Sequence, residues 1–276
     1  MTKSNDSLEL GVSRKIYYSI MEAIDWLSGC RGALFPPRRL RVRVSGANNF
    51  KTVGEEFLKY FIELGGLKPT ERVLDIGCGI GRMAVPLTRY LDKKGSYEGF
   101  DVLAEGIRWD TRNITPKFPN FYFQFVDLYN KSYNPNGKLR SNEFTFPYEN
   151  DSFDFIFLTS VFTHMLPEDV ENYLSEISRV IKTGGKCLIT FFLLNPESKK
   201  LIEAKSTPMD FRYKRDGYRV VDESKPETAI AYDENLVRML YKKRGLSVIE
   251  PIRYGSWSGR KDYLSFQDIV ISIKNR

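Results

Sequence analysis

The sequence is poor in the residues that build metal sites and disulfide frameworks. Its 276 residues include one histidine, His164, and three cysteines, Cys30, Cys78 and Cys187, which lie far apart and form no CxxC pair. These absences exclude a disulfide scaffold, a zinc knuckle and a histidine-rich metal site, so we expect no metal ion. They also confine histidine chemistry to a single residue, and the sparse cysteines fit a reducing compartment.

Long apolar runs and a strong charge of one sign are also missing. No segment reaches the roughly 18 consecutive apolar residues of a membrane span, and residues 1–15 lack the apolar core of a signal peptide. The net charge of +7 is mild, with a slightly acidic centre, residues 71–195, between two basic arms. The absence of these apolar segments predicts a soluble cytoplasmic protein without a membrane partner. Because no concentrated basic groove is encoded, we also expect no nucleic-acid partner.

What the chain does have is an alternation of strand-like and helix-like segments. Short apolar runs predict strands at residues 72–76, 96–102, 121–127, 152–160, 186–194, 246–250 and 268–274. Apolar residues at helical spacing predict helices at residues 82–91, 103–114, 167–181 and 233–244. Strands that alternate with helices form βαβ units, so the predicted fold class is α/β with a doubly wound parallel sheet.

Three stretches do not fit this alternation. Residues 128–147 and 196–231 show no clear period and carry turn-forming residues, which predicts irregular surface segments that act as lids or as plain loops. Arginines alternate with apolar residues from Arg38 to Val44, which predicts an exposed strand with a basic face. The predicted organisation is a cap, residues 1–50, and a main domain, residues 51–276, with inserts at about 129–146 and 196–231.

The most informative motif directly follows the first predicted strand and reads D-x-G-x-G-x-G, with Asp75, Gly77, Cys78, Gly79 and Gly81. Glycines let a ligand approach the backbone, and a helix that begins there favours a negative group such as a carboxylate. Asp101 ends the next predicted strand, 20 residues after Gly81. An acid at that place accepts hydrogen bonds from the two hydroxyls of a ribose.

The acid that precedes the glycines distinguishes between two cofactors. A carboxylate beside the loop repels a pyrophosphate, which counts against a nicotinamide dinucleotide, but it accepts hydrogen bonds from an amino group. A ligand with a nucleoside at one end and an amino acid at the other therefore fits Asp75, the glycines and Asp101. S-adenosylmethionine is such a molecule.

With these residues the chain resembles the class I S-adenosylmethionine-dependent methyltransferases, over residues 73–82, 99–102, 126–128, 146–154, 160–165 and 173–190. The resemblance implies a seven-stranded sheet of order 3-2-1-4-5-7-6 with the last strand antiparallel, and S-adenosylmethionine as cofactor. It also implies that Val102 and Leu128 enclose the adenine, that Asp127 lies near the exocyclic amine, and that Thr159 lines the site. Asp127 and Phe146 stand 19 residues apart, farther than the corresponding positions in most relatives.

His164 is the candidate general base. It lies just past the fourth predicted strand, on the sheet edge where α/β proteins bind ligands, and a hydroxyl acceptor needs a group that takes its proton. The alternative is a histidine that packs against or caps the short segment around it. A similar choice applies to Trp257, Arg260, Tyr263 and Gln267, which either recognise a carbohydrate or pack the end of the sheet.

The sequence therefore predicts an S-adenosylmethionine-dependent methyltransferase that acts on a small molecule, with a hydroxyl of a sugar or glycan precursor as the first expectation. One alternative is an RNA or protein methyltransferase that holds its substrate with the basic arms. A second is a non-catalytic partner subunit that keeps the fold, and a third is a nicotinamide dehydrogenase. The intact glycines and Asp101 count against the partner subunit.

Overall fold

The computed structural model describes residues 16–17, 19–21, 23, 32, 34–44 and 49–275. Cys30 and most of the predicted cap, residues 1–50, lie outside the described residues. Within the described part of the chain, no helix is both long enough and apolar enough to cross a membrane.

Two sheets are formed by the strands of the described residues, which are β1 (Arg72–Ile76), β2 (Ser96–Asp101), β3 (Phe121–Phe125), β4 (Phe153–Leu158), β5 (Ile181–Phe191), β6 (Leu193–Leu194), β7 (Tyr213–Arg215), β8 (Tyr218–Val220), β9 (Ile230–Asp233), β10 (Leu246–Arg253) and β11 (Asp268–Lys274). The main sheet has seven strands in the order β10-β11-β5-β4-β1-β2-β3. Strands β1 to β5 are parallel, and β11 is antiparallel to both β5 and β10. Counted within this sheet alone, the order is 3-2-1-4-5-7-6, so the predicted fold class and strand order are confirmed.

Helices cover both faces of the main sheet, and in the described residues they are α1 (Arg38–Val44), α2 (Phe50–Glu63), α3 (Ala84–Leu87), α4 (Ala104–Asn113), α5 (Pro167–Val180), α6 (Pro196–Glu203) and α7 (Glu234–Lys243). On one face, Phe61 of α2 stacks on Phe157 of β4, with 4.2 Å between the ring centroids. On the other face, α5 and α7 pack their apolar stripes into a second core cluster. The central strands are thus buried on both sides, as their continuous apolar sequence predicts.

Residues 196–231 contain a helix and several short strands joined by turns, which corrects the expectation of a wholly irregular surface segment. They contain α6 and most of a second sheet, whose order is β6-β9-β8-β7. Phe211, Val220 and Ile230 of this segment are fully buried, and Val220 and Ile230 pack into the main core cluster. The sequence showed no period because these strands are only two to four residues long, too short for an alternation to be visible.

The predicted strand at Arg38–Val44 is the helix α1, so that prediction was wrong. Two prolines precede the helix, a position where proline's fixed φ favours a helix start. Leu40 packs in a small cluster with Ile80 and Leu103, and Arg41 is buried, donating from Nε to the carbonyl of Pro36 at 3.1 Å. A pattern of only seven residues fits both the period of 2 of a strand and the period of 3.6 of a helix. The packing of Leu40 and Arg41 against the rest of the protein favours the helix.

Two predicted boundaries also differ from the structure. The helix expected at residues 82–91 is regular only over the four residues of α3, because Pro86 lacks an N–H and restricts the residue before it. Strand β5 begins at Ile181, five residues earlier than predicted, and the expected turn at Gly184 is a bulge within it. Phe153 pairs with Ile181, whereas Phe155 already pairs with Lys186.

Candidate functional site

The glycine loop, residues 77–81, leaves β1 at the carboxyl edge of the main sheet. Its backbone φ is positive at Gly77, Gly79 and Gly81, with values of 83°, 62° and 72°. At Gly77 a side chain is also excluded by space, because its Cβ would lie 2.4 Å from Cγ2 of Val161, which follows β4. The loop therefore requires glycine both for its turn and for its close contact with the neighbouring strand end.

Asp101, at the end of β2, holds the glycine loop in place. Its Oδ2 accepts from the backbone N–H of Gly79 at 2.8 Å, and its Oδ1 accepts from that of Leu103 at 2.7 Å. Burial raises the pKa of Asp101, against the effect of these backbone donors. Each carboxylate oxygen keeps a further acceptor position, so the predicted ribose acid stands beside the predicted loop with capacity for more hydrogen bonds.

Asp75 is buried at the end of β1 and is only partly satisfied. The hydroxyl of Tyr97 on β2 donates to Asp75 Oδ2 at 2.7 Å, whereas Oδ1 has no hydrogen-bond partner among the described residues. Burial raises the pKa of Asp75 to about 8; the charge of Asp101 adds to the rise, and the Tyr97 bond and the charge of Arg82 oppose it. A buried oxygen without a donor is an acceptor available to a ligand.

The residues predicted around the adenine lie at the ends of two neighbouring strands. Val102 follows β2 and packs, half-buried, against the core cluster that contains the buried Leu128. Asp127 follows β3, and its Oδ1 accepts from Nδ2 of Asn134 at 3.1 Å. The structure thus brings Val102, Asp127 and Leu128 to the same edge as Asp101.

The segment after β4 connects the glycine loop with the C-terminal part of the chain. Thr159 is half-buried, and the next residue, Ser160, adopts a φ of 59°, which is strained for a residue with a side chain. The Ser160 N–H donates to Oγ1 of Thr190 at 2.8 Å, and its hydroxyl donates to Oε1 of Gln267 at 3.0 Å. Such strain persists where surrounding contacts enforce it, often at a functional site.

His164 lies exposed in the helical turn Phe162–His164. Its Nδ1 is 3.0 Å from the backbone carbonyl oxygen of Glu227. A carbonyl oxygen only accepts hydrogen bonds, so Nδ1 is the donor in this contact. In a neutral ring with this contact, Nε2 is the nitrogen that carries the lone pair.

Comparison with known proteins supports the same interpretation. Residues 49–225, which include the glycine loop, the three strand-end acids and His164, match a family model described as a methyltransferase domain. The match covers more than half of the chain. The chain belongs to the methyltransferase domain family. The predicted resemblance is confirmed, and this methyltransferase belongs to the S-adenosylmethionine-dependent class, with S-adenosylmethionine as its cofactor.

Three proteins to which this methyltransferase is similar are distant from it in sequence. Phosphoethanolamine N-methyltransferase 3 of Arabidopsis thaliana is 25% identical over 239 residues, which are 85% of this chain and 44% of that protein. A solved protein of Pyrococcus horikoshii OT3 aligns with a TM-score of 0.57 at 15% identity, covering 85% of this chain and 96% of that one. A solved S-adenosylmethionine-dependent methyltransferase of Methanosarcina mazei aligns with a TM-score of 0.52 at 20% identity, covering 78% and 97%. The solved structures show the shared fold, and the chain spans less than half the length of the Arabidopsis relative.

The polar groups of the methyltransferase site fit S-adenosylmethionine. Oδ1 of Asp75 has no hydrogen-bond partner among the described residues, and the two oxygens of Asp101 keep spare acceptor positions, which are the kinds of acceptor that an amino group and ribose hydroxyls require. Gly79 has no side chain of its own, and Cγ1 of Val44 on α1 lies 3.3 Å from the position that a Cβ would take there. The helix that was expected to meet the carboxylate is reduced to the four residues of α3. The N–H groups of all three loop glycines and of Cys78 already donate within the protein, so the loop offers few free donors to a carboxylate.

Sequence reasoning missed two residues behind the glycine loop. Asp110 of α4 is fully buried and neither of its oxygens has a hydrogen-bond partner among the described residues. Burial and the charges of Asp101 and Asp75 raise its pKa well above the ordinary value. Gly106 lets α4 approach the loop, since a Cβ there would lie 2.1 Å from the carbonyl oxygen of Gly79. A glycine inside a predicted helix was the available signal for Gly106, whereas nothing in the sequence marked Asp110.

The predicted recognition residues of the C-terminal loop, residues 254–267, are divided between two environments. Trp257 is fully buried and donates from Nε1 to Asp268 at 2.7 Å, and Arg260 is buried with its guanidinium 4.2 Å from the ring centroid of Tyr254. Tyr263 is exposed and Gln267 contacts Ser160. Trp257 and Arg260 thus pack the end of the sheet.

Proposed function

We propose that this methyltransferase transfers the methyl group of S-adenosylmethionine to a hydroxyl of a small molecule, with a sugar or glycan precursor as the acceptor class. The observation that carries the proposal is the state of His164. Its Nδ1 is engaged by the Glu227 carbonyl at 3.0 Å, which leaves Nε2 as a base on an exposed ring. A hydroxyl must lose its proton during transfer, and a base fixed in this tautomer accepts that proton.

In this proposal each of the three acids at the strand ends, Asp75, Asp101 and Asp127, binds a different polar group of the cofactor. Asp101 accepts from the ribose hydroxyls, Asp75 accepts from the ammonium directly or through water, and Asp127 accepts from the adenine amine. The backbone and apolar contacts come from Gly77, Cys78, Gly79, Gly81, Val102, Leu128 and Thr159. The unpartnered Asp75 Oδ1 supports the ammonium assignment.

The chain's own part in the reaction is placement, exclusion of water and removal of one proton. When bound, S-adenosylmethionine would supply an electrophilic methyl group to the acceptor oxygen, and its sulfonium sulfur would keep the electron pair of the C–S bond. Nε2 of His164 takes the hydroxyl proton. Val161 lies against Gly77 of the glycine loop and Ser160 donates to Gln267, so the segment after β4 is held beside the loop.

The domain organisation is part of the same proposal: a cap, residues 1–50, covers a main domain, residues 51–276, whose inserts at about 129–146 and 196–231 complete the acceptor site. Two contacts support it. Leu40 of α1 packs with Ile80 of the glycine loop, and Glu227, which holds His164, belongs to the second insert.

A small acceptor fits the charges better than an RNA does. Arg39 and Arg43 of α1 both pair with Glu105, at 2.6 Å and 3.5 Å, and Arg41 is buried. Arg39 and Arg43 remain largely exposed, but they share Glu105 and thus carry less free charge than their spacing in the sequence indicates. The Arabidopsis relative is named for the small molecule phosphoethanolamine. Arginines that are already paired offer less to a phosphate backbone.

A thermal-shift titration tests the cofactor part of the proposal. S-adenosylhomocysteine at a hundredfold excess over its dissociation constant adds about 2.7 kcal/mol, which raises the midpoint by roughly 5–10 °C. NAD at the same concentration is the control and leaves the midpoint unchanged. A shift with NAD alone would favour a dehydrogenase, and no shift with either would favour a non-catalytic partner subunit.

Transfer of a labelled methyl group tests the acceptor. Free sugars and nucleotide sugars form one arm and total tRNA forms the other, and we expect label in the sugar arm. His164→Ala should lower turnover by about 10²–10⁴ with little change in S-adenosylhomocysteine affinity. His164→Asn keeps an N–H donor for the Glu227 carbonyl but no base, so it should lose as much. Label in tRNA alone would overturn the small-molecule proposal.

A further inference from the structure

The first insert folds back onto the strand-end acid Asp127. The Asp127 carbonyl accepts from the backbone N–H groups of Lys138 at 2.9 Å and Leu139 at 3.0 Å, and the Tyr129 N–H donates to the Leu139 carbonyl at 2.9 Å. These backbone bonds close a compact loop, residues 129–139, which starts and ends beside Asp127. The long spacing between Asp127 and Phe146 is therefore filled by a segment attached to the acid itself.

One side chain of this loop reaches the carboxylate. Nδ2 of Asn134 lies 3.1 Å from Asp127 Oδ1 and 3.0 Å from the Leu128 carbonyl. Both of these partners are acceptors, so the group between them is the amide NH₂, whose two protons serve one acceptor each. Within the described part of the chain no group donates to Asp127 Oδ2.

We propose that Asn134 is a positioning residue that gives the site its preference for adenine. By engaging Oδ1, Asn134 fixes the carboxylate so that Oδ2 remains available for the exocyclic amine of the cofactor. The inference rests on the assignment of Asp127 under the proposed function and goes beyond it, because it places an adenine-selecting device in the insert.

The physical basis is the cost of orienting a carboxylate. Asp127 is half-buried and has no other side-chain hydrogen bond among the described residues, so without Asn134 its carboxyl group would rotate more freely. A fixed acceptor rewards a donor at the right place and opposes another acceptor there. Hypoxanthine, which carries a carbonyl oxygen where adenine carries its amine, should therefore be rejected more strongly when Asn134 is present.

A neighbouring asparagine provides a matched control. Oδ1 of Asn130 accepts from the backbone N–H groups of Ser132 and Tyr133, each at 3.0 Å, and its side chain makes no bond to Asp127. Asn130→Ala thus removes the same number of side-chain hydrogen bonds from the same loop, but none that involves Asp127. If the insert only needs to be folded, Asn130→Ala and Asn134→Ala should behave alike.

Calorimetric titration with S-adenosylhomocysteine and S-inosylhomocysteine tests the inference. The quantity measured is the ratio of the two affinities in the wild type, Asn134→Ala, Asn130→Ala and Asp127→Ala, with the ligand-free melting temperature of each. We expect Asn134→Ala to lower the adenine preference about three- to tenfold and Asn130→Ala to leave it unchanged. Asp127→Ala should lower it further than Asn134→Ala.

Each other outcome overturns a defined statement. An unchanged ratio in Asn134→Ala, or an equal loss in Asn130→Ala, overturns the positioning role of Asn134. A ratio that falls in Asp127→Ala but not in Asn134→Ala leaves the proposed function intact and removes only this inference. A ratio that stays constant in Asp127→Ala overturns the adenine assignment of Asp127 and, with it, the inference.

Discussion

Two regions of the molecule bury carboxyl groups, and they treat them differently. At the glycine loop, Asp75 has one donor and an unpartnered oxygen, and Asp110 has no hydrogen-bond partner among the described residues. At the C-terminal loop, Asp268 accepts from the backbone N–H groups of Leu193 and Gly255 and from the indole of Trp257, at 2.6 Å, 2.6 Å and 2.7 Å. The carboxyl groups at the glycine loop thus lack some or all of their hydrogen-bond donors, whereas the carboxyl group of Asp268 has three.

This difference in hydrogen bonding is what we expect between a ligand-binding site and a site that only stabilises the fold. An unsatisfied buried acid destabilises the ligand-free fold, and such a cost persists where a ligand later supplies the missing partner. The three donors come from β6 and from two residues of the C-terminal loop, Gly255 and Trp257. The Asp268 carboxyl, at the start of β11, thus ties three segments together. Substitutions in the first region should therefore change binding, and those in the second should change stability.

The largest effect is expected from Trp257→Ala. The indole is fully buried against Phe192 and Phe211 and donates to Asp268, so its removal should lower the free energy of unfolding by about 3–5 kcal/mol. Urea unfolding measures this loss, and S-adenosylhomocysteine affinity should change little. Tyr263→Ala is the control in the same loop, since Tyr263 is 56% exposed and its removal should cost under about 0.5 kcal/mol. Equal losses in the two variants would contradict the structural role of Trp257.

Asp101→Ala should show the opposite behaviour. The carboxylate is assigned two ribose hydroxyls, and hydrogen bonds to a charged group contribute about 1.5–3 kcal/mol, so S-adenosylhomocysteine affinity should fall about a hundredfold. The loss of its bonds to Gly79 and Leu103 should lower stability by only about 1 kcal/mol. Calorimetric titration measures the affinity, with Asp262→Ala in the C-terminal loop as control. Unchanged affinity in Asp101→Ala would remove the ribose assignment.

The same contrast explains what the sequence could and could not predict. Asp75 and Asp101 lie at the ends of β1 and β2, and the glycine motif directly follows β1. The local sequence pattern was therefore enough to place these residues at the carboxyl edge of the main sheet. Tyr97 and Asp110 reach that site from the interior of β2 and α4, and only the packing of these elements shows their contact with it.

The second region depends on pairing between distant segments. Strand β6 pairs with β9, and Asp268 accepts a hydrogen bond from Leu193, which is 75 residues away in the sequence. No local sequence pattern predicts either contact. The seven-stranded sheet was predictable because each strand carries its own apolar run and because the family resemblance supplied the order. The four-stranded sheet was not predictable, because its strands are two to four residues long and are defined by their partners.

A smaller effect should appear in the pH dependence of binding. The pKa of Asp75 is raised to about 8 without ligand, mainly by burial, so near pH 6 the group is protonated and binding of an ammonium must release that proton. S-adenosylhomocysteine affinity should therefore rise between pH 6 and pH 8, by at most about tenfold per pH unit. The same raised pKa makes the ligand-free fold lose stability as pH rises from about 4 through 8, because the unfolded state gives up the proton first.

Titrations in buffers of different ionisation enthalpy measure the proton release directly. Asp75→Asn should remove most of the pH slope, because the amide has no proton to release. Asp110→Asn is the matched control, because Asp110 is also buried with a pKa raised well above the ordinary value. Asp110 is not assigned to the ammonium, so its amide variant should keep the pH slope of binding. A slope that survives in Asp75→Asn would assign the proton to another group.

The smallest effect is expected in the second region at Asn195, the N-cap of α6. Its Oδ1 accepts from the Ser198 N–H at 3.1 Å and from Nη2 of the buried Arg260 at 2.7 Å. Asn195→Ala should lower the free energy of unfolding by about 1–2 kcal/mol, because it removes a helix cap and leaves a buried donor unpaired. Asn195→Ser keeps a capping oxygen but is too short to reach Arg260, so the difference between the two variants isolates the cap. S-adenosylhomocysteine affinity should stay constant in both, and a loss of affinity there would show that the second region also shapes the cofactor site, which would break the division between the two regions.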